Sequence, residues 1–226
     1  MTNFVAEDRI MQAIFSLLVK EFTLEWRQKH SFGALLLYVL ATIFIVFSVI
    51  KNIAPDVWIA LFWIIVLFAS ANASARSFYQ ESGARQLFYY QLTHSLNFIF
   101  SKFLYNFILL FLIGLLTWLG FIFFSKAIVR DYGLFVLTIV LGCLSFSTIF
   151  TFISAIANKT PNGSSLMAIL SFPLMIPVIL TLLKLSAQAC RLMQDTGYVK
   201  DIIILLSING MLIGVMIFLF PFVWRD

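Results

Sequence analysis

The chain has 226 residues, 62% of them hydrophobic and only 11% charged, with a mean hydropathy of +1.02. So little polar material cannot cover a water-soluble fold, and a soluble globular domain is excluded. The net charge of +5 comes without a long basic run, which leaves no nucleic-acid surface and makes the lipid bilayer the main surrounding.

The first thirty residues do not form a span. Ile10, Ile14, Leu17, Leu18 and Phe22 recur at helical spacing, while Gln12, Ser16, Lys20 and Arg27 collect on another side. Residues 1–30 are therefore read as an amphipathic arm lying on the cytoplasmic membrane surface, with docking on a partner as the other reading. Glu7, Asp8 and Arg9 interrupt any signal-peptide pattern.

Six stretches of roughly the 20 apolar residues needed to cross hydrocarbon follow. They run near Ser31–Ile50, Asp56–Ala75, Phe103–Ser125, Tyr132–Ala157, Ser164–Leu183 and Ile202–Trp224, and their interiors contain no Asp, Glu, Lys, Arg or His. Backbone groups in lipid must be satisfied within the segment, so these are helices, and residues 31–226 are expected to form one six-helix transmembrane domain. The fold class is all-α, a polytopic membrane protein of six transmembrane helices with an N-terminal interfacial amphipathic helix. Lys20, Arg27 and Lys29 precede the first span and only Lys51 closely follows it. Counted over the chain, nine Lys and Arg lie on one side against six on the other, so both termini are expected to be cytoplasmic.

The spans limit the chemistry. Without ionisable groups at membrane depth, proton coupling through carboxylate or histidine relays is disfavoured. A Walker loop, a His-Glu-x-x-His pair and a G-x-S-x-G elbow are all lacking, so the chain is not expected to be an enzyme by itself. His30 and His94 read as interface histidines rather than haem or metal ligands, and Cys143 and Cys190 form no disulfide framework. No catalytic residue or metal site is expected, and no cofactor-binding residue is assigned.

The polar interruption from Arg76 to Lys102 interleaves Leu87, Phe88, Tyr89, Tyr90, Leu92, Leu96, Phe98 and Ile99 with Arg85, Gln86, His94 and Asn97. That composition predicts short amphipathic helices on the cytoplasmic side, turned either to a partner or to lipid headgroups. Farther on, Cys143, Ser147, Thr151 and Ala155 fall four apart in the fourth span, and Gly210 and Gly214 form a G-x-x-x-G in the sixth. Both stripes favour close helix approach, read here as packing within one subunit, with dimerisation as the other use. Pro173 and Pro177 share one face of the fifth span and free carbonyls near Ile169 and Pro173, which makes either a hinge or a static bend.

Taken together, these features resemble a known family. The arm Leu18-Val19-Lys20-Glu21-Phe22, six spans, a loop with Arg76-x-Phe78, Glu81, Gln86-Leu87 and Lys102, and the stretch Leu170-Ser171-Phe172-Pro173-Leu174-Met175-Ile176-Pro177 look like the CcmB family. That family is the transmembrane subunit of the ABC transporter used in cytochrome c maturation. The resemblance runs from about Leu18 over nearly the whole chain, and the double-proline stretch is its most specific part. Arg85 stands where a carboxylate is common in the family, and Gln91 lies near a frequent proline.

The resemblance implies an ABC exporter type membrane subunit, multi-pass in the bacterial inner membrane and present in two copies with a CcmA-type ATPase. It also implies association with CcmC- and CcmD-type membrane proteins and a CcmE-type haem chaperone. ATP would be bound by the partner subunit, and haem would be handled by the complex, either exported or released as the loaded chaperone. The partner-coupling candidates are Arg76, Glu81, Arg85, Leu87, Tyr89, Tyr90 and Lys102. Other readings are the membrane subunit of a lipid, polysaccharide or drug exporter, and a scaffold of a haem-chaperone complex that translocates nothing.

Overall fold

The computed structural model describes the chain except residues 1, 28, 51, 80–94, 126–127, 159, 161–162, 194–196 and 226. The side chains of 2–10, 13, 25–27, 29–32, 76–79, 164 and 223–225 are likewise outside the description. Among the described residues every regular element is a helix. In chain order they are α1 (Thr2–Arg27), α2 (Lys29–Val49), α3 (Pro55–Tyr79), α4 (Ser95–Phe124), α5 (Tyr132–Ala157), α6 (Gly163–Ala189) and α7 (Tyr198–Arg225).

Five of them, α3 to α7, are long and apolar enough to cross a membrane, whereas the apolar stretch of α2, Gly33–Val49, is shorter. A multi-pass membrane protein follows from these five alone.

Helix α5 lies at the centre and packs against α3, α4, α6 and α7. Its membrane stretch is 78% buried, against 22% for α6 and for α7, so α5 has almost no lipid-facing side while the last two helices are mostly outward. Between α3, α4 and α5 the core is aromatic. Trp58, Phe62, Trp63, Phe121, Phe135 and Phe146 are all fully buried, and the Trp58 and Phe121 rings meet edge to face at 5.1 Å. Gly142 of α5 is there because the Trp63 ring occupies the place where any Cβ would stand.

Lipid offers helices no hydrophobic reason to associate, so specific polar contacts between them carry weight. The Ser147 hydroxyl of α5 donates to the Phe103 carbonyl of α4 at 2.8 Å, and the Asn106 amide donates to Thr151 Oγ1 at 2.8 Å. On other sides of the bundle, Asn209 of α7 donates to Ser145 Oγ at 2.8 Å and Trp63 Nε1 of α3 donates to Ser186 Oγ of α6 at 2.8 Å. Asp131 caps α5 by accepting from the Leu134 amide at 3.0 Å.

Four boundaries differ from the sequence reading. Helix α3 runs on to Tyr79, so Arg76 stands on its last turns and not in a loop. Helix α4 begins at Ser95, eight residues before the expected Phe103, and Lys102 and Asn106 are buried within it. The bundle's far end also extends: α6 reaches Ala189 and α7 starts at Tyr198.

Candidate functional site

The segment read as the coupling surface is held between α3 and α4. Glu81, Arg85, Leu87, Tyr89 and Tyr90 lie outside the described residues, as do the Arg76 side chain, the His30 side chain and His94. What is described is the frame around them, and its centre is Lys102.

Lys102 is 1% exposed and its Nζ lies 3.0 Å from Glu21 Oε2 of α1. Lys20 Nζ reaches the other oxygen of the same carboxylate at 3.0 Å. Burial pushes the Glu21 carboxyl up, but Lys102 first and Lys20 second outweigh it and hold the group below the ordinary carboxylate value of 4.5. The Phe22 and Tyr105 rings meet edge to face at 5.2 Å beside this pair. Lys102 is thus turned inward, to fasten the amphipathic arm onto α4, and has no surface to offer an outside partner. Sequence reasoning counted Glu21 as part of a family-like arm motif and missed its pairing, because the two residues are 81 apart.

The stripe on α5 and the one on α7 have different surroundings. Ser147 and Thr151 are buried and bonded to α4. Gly210 and Gly214 are exposed, and a Cβ added at either would meet nothing within 4 Å. The G-x-x-x-G expected to pack within one subunit therefore faces away from the rest of the chain, because α7 turns Leu205, Asn209, Leu212 and Met216 to the core instead.

Pro173 and Pro177 lie inside α6, which continues through both. Each is exposed, on a face shared with Ile169, Phe172 and Leu180, while Met175, Val178 and Leu182 turn inward. The Thr181 hydroxyl donates to the Pro177 carbonyl at 2.8 Å, giving that group a local partner.

At the opposite end of the bundle a second polar cluster joins α6 to α7. Lys184 Nζ lies 3.1 Å from Asp201 Oδ1, and Gln188 Nε2 donates to Asp201 Oδ2 at 3.0 Å. At the last residue of α6, the amides of Arg130 and Asp131 both donate to the Ala189 carbonyl, at 3.2 and 2.9 Å. This binds the entry of α5 to the end of α6.

Among the described residues no group of three His, Cys, Asp or Glu could hold a metal ion. The long apolar helices, the buried arm-to-helix ion pair and the polar interruption between α3 and α4 define a polytopic membrane component built around helix packing. The family model of the CcmB protein matches residues 12–224, and the chain belongs to the CcmB family. Membership makes it a membrane component of the haem and cytochrome c maturation ABC transporter, associated with other proteins of that system. No curated protein and no solved structure matches the chain.

Proposed function

We propose that the chain is the non-catalytic membrane subunit that carries motion from a CcmA-type ATPase into the membrane, so that ATP hydrolysis drives haem export or release of the haem-loaded chaperone. In this reading α2 to α7 form six spans in the bacterial inner membrane with both termini cytoplasmic. Two copies act with CcmC-, CcmD- and CcmE-type partners.

The observation that carries the proposal is the buried Glu21–Lys102 contact. The coupling segment, residues 76–102, takes in the last turn of α3 and the first turns of α4, and both helices continue into the bundle. A push on that segment acts on α3 and α4 directly, and on α1 through Glu21 and Lys102. Helix α4 is 30 residues long, about 45 Å at 1.5 Å per residue, so its first turns stand outside the roughly 30 Å of hydrocarbon and serve as a lever. Arg85 and Tyr89 are residue types that dominate interface energies. Pro173 and Pro177 weaken the backbone ladder of α6 at membrane depth and supply its hinge.

The test is co-purification of partners after mild extraction, together with cytochrome c assembly in cells. Arg85→Ala combined with Tyr89→Ala should lose ATPase association or uncouple hydrolysis from assembly, at about 1–3 kcal/mol if either side chain anchors the interface. Wild-type complex yield with wild-type assembly would return the segment to a headgroup-facing role. Pro173→Ala combined with Pro177→Ala should lower assembly while partner binding stays near normal.

A further inference from the structure

Helix α6 is packed differently before and after its prolines. Among the described side chains of residues 163–177 only Gly163, Ser171 and Met175 are buried. Over residues 178–189 Val178, Leu182, Leu185, Ser186, Gln188 and Ala189 all are. The polar contacts follow the same division. Trp63 bonds Ser186, Lys184 and Gln188 meet Asp201, and the Arg130 and Asp131 amides hold the Ala189 carbonyl, so the second half is tied to three other helices or their ends. The first half is met by Ser154 of α5, whose hydroxyl donates to the Met167 thioether at 3.6 Å, and a thioether is a weak acceptor.

Met167, Ser171 and Met175 follow one another at four-residue spacing, and the Ser171 hydroxyl turns back to the Ala168 carbonyl of its own helix at 3.3 Å. The seam against α5 is therefore two thioether side chains around a hydroxyl that is satisfied locally. Unbranched methionine refits to a shifted surface at little cost, which the branched Val178 and Leu182 of the second half do not.

Between the halves the backbone ladder is thin. Pro173 and Pro177 bring no amide, so the Ile169 and Pro173 carbonyls lose their helical donors and two rungs on one side are missing. At its other end the first half is pinned, because Gly163 lies so close to the Ala157 carbonyl of α5 that a Cβ there would collide with it. Helix α7 shows that low burial alone does not make such a segment. Its membrane stretch is as little buried as that of α6, but Leu205, Asn209, Leu212, Met216 and Phe220 spread its inward contacts along its length, and its one proline, Pro221, lies in the last turns.

We propose that α6 is a two-part helix in which residues 178–189 stay fixed to the bundle while residues 163–177 roll on α5 between Gly163 and the prolines, and that the rolled form is a minor state of the resting protein. The proposal rests on the hinge assigned to the prolines above. It adds which half moves, over which surface, and that the movement exists before any ATPase biases it. Rolling withdraws Met167 and Met175 from α5 and uncovers the flank of α5 at Ser154.

The methionines can report this themselves. The experiment is relaxation dispersion, which reads exchange on the μs–ms scale, on isotope-labelled methionine methyl groups of the full chain in lipid nanodiscs. Met167→Leu, Met175→Leu and Met216→Leu assign the signals. Met167 and Met175 should show dispersion, and Met216, fully buried on α7, should be flat. Pro173→Ala combined with Pro177→Ala restores both amides and should abolish the dispersion at Met167 and Met175, and Pro177→Ala alone should reduce it. Flat profiles at Met167 and Met175 in the wild-type protein overturn the proposal. Dispersion of equal size at Met216 also overturns it, since the whole bundle would then be moving. Dispersion undiminished in both proline variants does so too, because it would belong to loose side chains and not to the helix. No readout here involves the ATPase. Normal assembly in the Arg85 and Tyr89 double variant would defeat the coupling reading alone, and flat methyl profiles would defeat this proposal while leaving the coupling surface standing.

Discussion

Two carboxylate–lysine contacts tie the bundle together near its opposite ends, and they differ in how much water each keeps. Glu21 and Lys102 are 6% and 1% exposed, with Lys20 closing the carboxylate's other side. Asp201 is equally buried, but its partner Lys184 is 38% exposed and a neutral glutamine supplies the second contact. In the first, charge is satisfied by charge inside the protein, and neither partner can leave without stranding the other. In the second, the lysine can fall back on solvent. The end where α1 meets α4 is built as a lock and the end where α6 meets α7 as a looser clasp.

The largest effect should come from breaking the lock. Lys102→Met leaves Glu21 buried with only Lys20, and should cost about 3–5 kcal/mol of stability in a detergent unfolding titration. Adding Glu21→Leu should recover most of that loss, because a well-packed apolar pair is comparable with a buried ion pair. A double variant no more stable than the single one would mean that the contact is not isolated in this way.

Acid should open the lock as well, and the sign follows from Glu21. Its folded pKa is held below 4.5, so the stabilisation is complete above that value and is lost only as pH falls through the lower, folded one. Amide exchange of α1 should therefore stay slow through neutral and mildly acidic pH and rise only once the pH falls below the ordinary carboxylate range. A rise already at pH 6 would assign the detachment of α1 to some other group.

Smaller effects are expected at the clasp. Gln188→Leu removes a hydrogen bond to a charged acceptor and should cost about 1.5–3 kcal/mol. Lys184→Ala should cost no more than about 1 kcal/mol in the same titration, since that lysine is partly solvated. If Lys184→Ala proved as damaging as Lys102→Met, the contrast between the two ends would not stand.

How much of this was legible in the sequence depended on whether a feature was local. Apolar runs announce helices residue by residue, so all of the long ones were found, and the periodicity of Leu17, Leu18 and Phe22 announced α1. A hydropathy reading ends a span at a charge, which is why α4 was started after Lys102. The helix passes through that lysine because its charge is met by Glu21, from 81 residues away. The same blindness applied to Gly210 and Gly214. Their spacing declares a smooth helix surface but does not say which neighbour, if any, lies against it. Asn209 with Ser145 and Trp63 with Ser186 are likewise pairings between distant segments.

The near-complete enclosure of α5 has a consequence for how the protein is made. A segment leaving the insertion machinery into lipid must be content with lipid on every side until neighbours arrive. Ser145, Ser147, Thr148, Thr151 and Ser154 are all buried in the finished bundle, and alone they would face acyl chains. Ser147 and Thr151 meet their partners on α4, which is synthesised earlier, and Ser145 and Thr148 donate to the Leu141 and Leu144 carbonyls of α5 itself. The central helix can therefore keep its hydroxyls bonded beside α4 before α7 is threaded, and it is the Asn209 amide of α7 that needs Ser145 already in place. A variant with Ser145 replaced by alanine would leave that amide one acceptor short in lipid, the kind of fault that membrane quality control can recognise.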